Sequence, residues 1–158
     1  MKRSLNIKIF VLTLTLLLGA LAVAATERPF SANGRGVAAL VTDGAGNIVA
    51  ADVTGSGTAT HLGAFTNTGR IFFAPDPDNP NIVHPSGDAT FTAANGDKLF
   101  VVVVDASQDI TTGLATGHFR FVGGTGRFVN ATGITDAVVQ QNFVTGGYEL
   151  TIVGQIDF

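Results

Sequence analysis

Apolar and polar residues alternate along much of the chain, in short runs separated by turn-forming residues. The last run is the clearest, because Tyr148, Leu150 and Ile152 are each separated by a polar residue. A period of two indicates a β-strand that buries one face and leaves the other in water. Since no long run shows a helical period, the pattern favours an all-β protein.

Turn residues divide the chain into eight such runs. Glycine, with Asp or Asn beside it in two of the three cases, occupies segments 43–47, 95–97 and 145–147 and favours antiparallel hairpins. Eight tilted antiparallel strands close into a barrel that has no free sheet edge. We therefore predict a single antiparallel eight-stranded β-barrel, with strands at residues 36–41, 48–58, 61–73, 88–93, 98–105, 114–122, 134–143 and 148–157.

The amino terminus is typical of an exported protein. Lys2, Arg3 and Lys8 precede an apolar run at residues 9–18 and a small-residue stretch at 19–25, which is the order found in a secretory signal. The apolar run is shorter than the roughly 20 residues of a membrane span. We predict a cleaved signal peptide over residues 1–25, a single domain over residues 26–158, and a secreted or periplasmic protein.

Charge and cysteine content exclude several classes of function. Without residues 1–25 the chain keeps six basic and all twelve acidic residues, a formal net charge of −6. An acidic domain of this kind is a poor match for nucleic acid or for an anionic membrane surface. The absence of cysteine excludes disulfides, thiolate nucleophiles and thiolate zinc sites, and no other cofactor is expected.

The longest predicted connection is residues 74–87, which hold four of the five prolines. Its Asp and Asn side chains offer oxygen ligands for calcium, but the segment lacks the central glycine and the terminal glutamate of an EF-hand loop. We predict a rigid, solvated loop with His84 exposed in it, and no metal site.

Residues 119–133, with the sequence FRFVGGTGRFVNATG, predict a strand, a turn and a second strand. Gly123, Gly124 and Gly126 allow the chain to reverse, and Phe128 is expected to cap one end of the core. A phosphate-binding loop is the alternative interpretation. It would need a following helix and usually a lysine, and neither is evident.

This glycine-rich segment resembles the GGTGxF…AxG signature of the allene oxide cyclase and dirigent barrel superfamily. Segments 57–63 and 93–97 are similar to exported bacterial proteins that carry the same later motif. The resemblance implies a barrel of that type, whose members rearrange an unsaturated fatty-acid epoxide in an apolar cavity or steer phenoxy-radical coupling. It implies no catalytic residue, because the matched positions are turn and core residues.

Histidines are the remaining candidates for chemistry. His61 alternates with Gly57 and Gly55, and His118 alternates with Arg120. If these side chains lined the lumen, His61, His118 and Arg120 could orient an anionic or carbonyl ligand. The alternative is that each lies on a solvated face or forms local hydrogen bonds at a strand end.

The sequence therefore predicts a secreted, noncatalytic barrel that binds a small apolar ligand or acts as a cell-surface interaction module. An isomerase or cyclase that acts on an apolar molecule in the lumen is the alternative. A small outer-membrane barrel is a second alternative because alternating apolar residues lead to a terminal Phe158, although no tryptophan and one tyrosine are present to form aromatic girdles. Ligand binding and catalysis in the lumen both require a hollow lumen, whereas a packed lumen would leave only an interaction role.

Overall fold

A computed structural model describes residues 26–158. Their eight antiparallel strands form one closed barrel in chain order, in which the last strand pairs with the first. The predicted all-β, eight-stranded antiparallel barrel is thus confirmed, whereas the predicted signal peptide lies outside the described residues. The strands are β1 (Arg28–Thr42), β2 (Ile48–Ala59), β3 (Gly63–Pro75), β4 (Ile82–Ala93), β5 (Lys98–Asp109), β6 (Leu114–Gly124), β7 (Thr132–Gln141) and β8 (Gly147–Ile156).

The connections alternate between the two ends of the barrel, because each strand runs antiparallel to the next. We call one the closed end; it contains turns 60–62 and 94–97, segment 125–131 and the paired residues Arg28 and Ile156. The other, which we call the open end, contains connections 43–47, 76–81, 110–113 and 142–146.

In the part of the chain that the structure describes, helical structure is limited to one short turn. A 3₁₀ helix spans Gly126–Phe128 at the closed end. Within residues 26–158, no helix has the length and apolarity needed to cross a bilayer.

Phenylalanine side chains fill the lumen at the closed end. Phe30, Phe91, Phe121 and Phe128 are almost completely buried. The rings of Phe30 and Phe121 meet edge to face with centroids 4.9 Å apart, and Phe65 stacks on Phe91 at 5.0 Å. Because each buried aromatic ring removes a large apolar area from water, this half of the barrel holds most of the hydrophobic core.

Glycines on β1 and β2 make room for large side chains in the lumen. Gly36 and Gly55 face each other in the register, and a Cβ atom on either residue would lie within 2.7 Å of the Tyr148 hydroxyl. A Cβ on Gly57 would lie 2.8 Å from the ring of Phe65. The missing side chains on this wall therefore accommodate Tyr148 and Phe65, which reach across from other strands.

The loop predicted at residues 74–87 is longer than the connection in the structure. β3 continues to Pro75 and β4 begins at Ile82, so the connection contains only residues 76–81. Pro85 lies inside β4, where the pairing with β5 shifts register between Val83 and Gly87. Proline lacks an N–H and is tolerated at such an irregularity, which is why its presence does not mark a loop here.

Strands β1 and β5 also extend several residues beyond their predicted bounds, whereas the remaining strand ends differ from the prediction by one or two residues. β1 begins at Arg28 rather than at residue 36, because its inward positions include small residues such as Ala32 that give a weak apolar signal. β5 continues to Asp109 rather than ending at residue 105, and its pairing with β6 shifts between Val104 and Ser107. Beyond this bulge the inward positions change from odd to even numbers, so Gln108 becomes buried in the lumen.

Candidate ligand cavity

A cavity of about 110 Å³ occupies the lumen at the open end. Alanine side chains explain why this half is hollow, since Ala38, Ala51, Ala115 and Ala137 occupy inward positions on four different strands. The half-buried ring of Phe73 also lines it, so the cavity extends toward solvent at this end. The open end thus offers an apolar site inside the barrel.

A hydrogen-bonded pair of polar side chains lies in the wall of this cavity. The Asn67 amide nitrogen donates to the Tyr148 hydroxyl at 2.8 Å, and both residues are buried. Burial raises the pKa of Tyr148, against a smaller lowering by the Asn67 hydrogen bond. The phenol is therefore neutral at physiological pH.

Two glutamines form a second polar pair. Gln108 Nε2 donates to Gln141 Oε1 at 3.2 Å, and both side chains are buried. Gln141 Nε2 is also buried and has no hydrogen-bond partner among residues 26–158. Since Gln141 pairs directly with Tyr148 across β7 and β8, the two polar pairs lie at the same level of the barrel.

Exposed apolar side chains surround the open end. They lie at strand ends and in the connections, and Val144 is the most exposed at 95%. Large apolar side chains are also exposed elsewhere on the barrel, for example Val129 at the closed end, so those at the open end are distinguished by their position at the mouth of the lumen. The apolar rim consists of Leu40, Ile48, Ile110, Leu114, Phe143 and Val144.

The predicted ligand-binding residues do not meet in the lumen. His61 lies in the turn after β2, with φ of 68°, and its Nε2 is 3.1 Å from the Pro29 carbonyl oxygen. His118 and Arg120 lie on the outer face of β6, where His118 is 3.3 Å from an Asp136 carboxylate oxygen. His118 and Arg120 therefore lie outside the lumen, because the inward face of β6 is the one that carries Phe121, and His61 forms a local contact in its turn, so the three side chains lie as the alternative interpretation describes.

The glycine-rich segment lies at the closed end, away from the cavity. Gly123 and Gly126 have φ of 99° and 58°, a region that favours glycine. A Cβ on Gly124 would collide with the Lys98 carbonyl oxygen. Phe128 is fully buried, with its ring centroid 5.0 Å from that of Phe158.

The short connection 76–81 is held to the barrel by a histidine that the sequence placed in an exposed loop. His84 lies in β4, with Nε2 2.8 Å from Asp76 Oδ2 and Nδ1 3.2 Å from the Ala106 carbonyl oxygen. Both partners accept hydrogen bonds, so the two bonds form together only when the imidazole is doubly protonated. The hydrogen bonds raise the pKa of His84, mainly through Asp76, and lower the pKa of Asp76, mainly through His84.

The side chains of connection 76–81 are not arranged as a calcium site. Asp76 already accepts hydrogen bonds from the backbone of Asp78 and Asn79, both at 2.9 Å. Across the described part of the chain, no group of three or more His, Asp or Glu side chains is placed to hold a metal ion.

Sequence reasoning did not single out the four residues of the two hydrogen-bonded pairs as members of a site. A signal was present for Asn67, Gln141 and Tyr148, since each is a hydrogen-bonding side chain on the inward face of an alternating strand. Gln108 had no such signal, because the bulge in β5 reverses the faces of the strand before that residue.

The chain matches no known protein-family profile, and no curated protein is significantly similar to it in sequence. The resemblance of residues 119–133 to allene oxide cyclases and dirigent proteins therefore stays a prediction.

Proposed function

We propose that residues 26–158 form an exported, noncatalytic barrel that binds a small apolar ligand at its open end. The observation that carries this proposal is the unequal filling of the lumen, which is packed with phenylalanine at one end and hollow at the other. Binding sites for small molecules are typically apolar cavities with a few polar groups that orient the ligand. The alanine-lined cavity with its two polar pairs has this composition.

The apolar rim supports entry of the ligand from the open end. Leu114 and Phe143 are exposed large apolar residues next to the connections that surround the mouth. A ligand that leaves water there remains in contact with apolar surface until it reaches the cavity.

The cavity wall favours binding over an isomerase or cyclase activity. Its lining residues include no Asp, Glu, His, Lys or Arg, and Tyr148 is the one side chain there with an ionisable group. General acid–base catalysis needs a group whose pKa lies near the working pH, whereas burial raises the pKa of Tyr148. The wall supplies hydrogen bonds and apolar contact instead.

The outer face favours a location in water over an outer-membrane barrel. Arg70 and Asp52 form an ion pair on this face with an N–O distance of 3.0 Å, and both side chains are about half exposed. A membrane barrel would present an apolar band to lipid at this level. This exposed ion pair therefore supports a secreted or periplasmic domain, and the barrel fold is compatible with the proposed allene oxide cyclase and dirigent superfamily.

Benzene is a suitable probe for the proposed site, because a cavity of about 150 Å³ in another protein binds it. We expect NMR titration of residues 26–158 with benzene to shift the methyl resonances of Val103 and Val139, which line the cavity. Ala137→Leu fills the cavity and is expected to weaken binding by about tenfold or more.

The matched control is Val138→Leu, which introduces the same leucine at the next residue along β7, where the side chain is exposed on the outer face. It is expected to leave benzene binding unchanged. Equal binding by wild type and Ala137→Leu, or shifts confined to the apolar rim, would reject the cavity as the binding site and leave the interaction role.

A further inference from the structure

Strand β5 is apolar on both of its faces over residues 99–104. Its odd-numbered residues there point into the lumen, where Val101 is fully buried. Its even-numbered residues Phe100, Val102 and Val104 lie on the outer face, where they are half-buried. Because a barrel strand with water on its outer side normally alternates apolar and polar residues, this strand indicates that something covers its outer face.

The neighbouring strands extend this outer face into a continuous apolar surface. Val102 of β5 and Ile134 of β7 lie at one level of the barrel, because both pair with Arg120 of β6. Val122 on β6 and Val153 on β8 are diagonal neighbours of Ile134, and all three side chains are about half exposed. We call this surface the apolar wall; it consists of Phe100, Val102, Val104, Val122, Ile134 and Val153.

The outer face of β2 and β3 provides a contrast within the same barrel. Its central positions are exposed and polar: Asp52, Thr54, Ser56, Thr66, Thr68 and Arg70. The apolar wall is therefore a feature of one side of the barrel. A membrane barrel would present an apolar band around its whole circumference, so a one-sided wall favours a protein partner over lipid.

Arg120 and Asp136 give the apolar wall both signs of charge. Arg120 lies between Val102 and Ile134, and its guanidinium forms no ion pair or hydrogen bond among residues 26–158. The side chain of Asp136 is 83% exposed and approaches His118 at 3.3 Å. Two identical surfaces that each carry a cation beside an anion are complementary about a two-fold axis, because each Arg120 then faces the other Asp136.

We infer that the apolar wall is the interface of a two-fold symmetric dimer of this chain, in which Arg120 of each copy forms an ion pair with Asp136 of the partner subunit. A second copy is favoured over a different protein because the charges on the wall complement themselves, and two-fold dimers are the commonest soluble homo-oligomers. The inference goes beyond the proposed function, since no residue of the apolar wall lines the cavity.

The extent of the apolar wall sets the expected affinity. The wall crosses strands β5 to β8, a width of about 14 Å at the usual strand spacing of about 4.8 Å. A standard interface buries about 800 Å² on each partner, so the wall is large enough for the apolar core of such an interface, and polar residues around it would form the rim. We therefore expect a dissociation constant in the micromolar range.

Sedimentation velocity of the purified protein from about 1 µM to about 100 µM should show a monomer that gives way to a species of twice its mass. Ile134→Lys places a charge at the centre of the wall and is expected to raise the dissociation constant at least about tenfold. Thr68→Lys is the matched control, because it introduces the same lysine on the exposed outer face of β3, and it should leave the dissociation constant unchanged. Both variants should keep the melting temperature of the wild-type monomer, since each changes an exposed residue.

Charge exchange then tests the two-fold pairing. Arg120→Asp and Asp136→Arg each place like charges opposite one another across the interface, and each alone should raise the dissociation constant at least about tenfold. In an equal mixture of the two variants, each copy carries the charges that its partner lacks, so both ion pairs form in the mixed dimer. The mixture should therefore dimerise about as tightly as the wild-type protein.

Several results would overturn this inference. A wild-type protein that stays monomeric at about 100 µM has no such interface, and vesicle binding that is lost in Ile134→Lys would then identify lipid as the occupant of the wall. Equal effects of Ile134→Lys and Thr68→Lys on the dimer would place the contact on another face. A species of three times the monomer mass, or a mixture of the two charge variants that stays monomeric, would reject the two-fold pairing. None of these measurements involves benzene, so the proposed function is tested separately.

Discussion

The closed and open ends of the barrel are built from the same eight strands and differ mainly in the size of their inward side chains. Phe30, Phe91 and Phe121 fill the closed end, whereas alanines such as Ala115 and Ala137 line the cavity at the open end. The backbone is continuous through both halves. The difference therefore shows that the pattern of inward residues builds the barrel, while the volume of those residues decides which half is filled.

This difference also has an energetic meaning. Dense packing at the closed end gives each ring many dispersion contacts and removes apolar surface from water. A cavity forfeits such contacts along its whole lining. The open end therefore contributes less to the free energy of unfolding than the closed end does.

The largest expected effect comes from emptying the closed end. Phe121→Ala removes a fully buried ring that contacts Phe30 and is expected to lower the free energy of unfolding by about 3–5 kcal/mol. Urea denaturation monitored by circular dichroism measures the change.

The neighbouring residue provides the control for this test. Val122→Ala changes an exposed side chain on the outer face of the same strand and should alter stability by about 0.5 kcal/mol or less. Equal losses in Phe121→Ala and Val122→Ala would contradict the location of the core at the closed end.

Adding volume should affect the two ends in opposite ways. Ala32→Leu inserts three carbon atoms into the packed closed end and is expected to cost about 1–3 kcal/mol of the free energy of unfolding. Ala115→Leu adds the same atoms beside the cavity and should leave stability unchanged or raise it, because it creates contacts where none exist. Thermal unfolding of the two variants side by side measures the difference, and a similar loss in both would mean that the open end is packed in solution.

The smallest expected effect is the dependence of stability on pH through His84 at the open end. The pKa of His84 is raised above 6.5 in the folded protein and that of Asp76 is lowered below 3.8. A raised histidine pKa contributes stability that is fully present below the unfolded pKa and is lost as pH rises through the folded value. The lowered pKa of Asp76 contributes stability above its unfolded value that is lost as pH falls through the folded one.

The pair should therefore stabilise the protein most between about pH 4 and pH 6.5. We expect the melting temperature of wild type to exceed that of His84→Gln in this window and the gap to narrow at higher pH. His118→Gln is the comparison, since His118 is about as exposed as His84 but approaches one carboxylate, Asp136, at 3.3 Å and does not bridge two acceptors, so its gap should be smaller. A gap for His84→Gln that is constant from pH 5 to pH 9 would contradict the protonated, doubly hydrogen-bonded His84.

The sequence predicted the barrel because its signals are local. Alternation in β8 and turn residues at 43–47 and 95–97 act over a few positions, and closure follows from the number of strands. The misplaced start of β4 has a physical reason, since Pro85 looks like a loop residue until its position at a register shift is known.

The candidate site was harder to predict because it depends on side-chain direction. His118 and Arg120 are chemically the more conspicuous residues, but the alternation of β6 directs them outward. Gln108 enters the lumen only because a bulge adds a residue to β5 before it. The open cavity itself depends on the summed volume of alanines from different strands, which become neighbours only after the barrel has closed.

The pairing of Arg28 with Ile156 fixes how the barrel could be displayed. Both residues lie at the closed end, opposite the mouth. A tether or fusion partner joined before Arg28 or after Ile156 would hold the domain by its closed end and leave the mouth facing the medium. Immobilisation on a sensor surface through these segments would accordingly keep the cavity accessible, whereas insertion into connection 142–146 would place the attachment across its entrance.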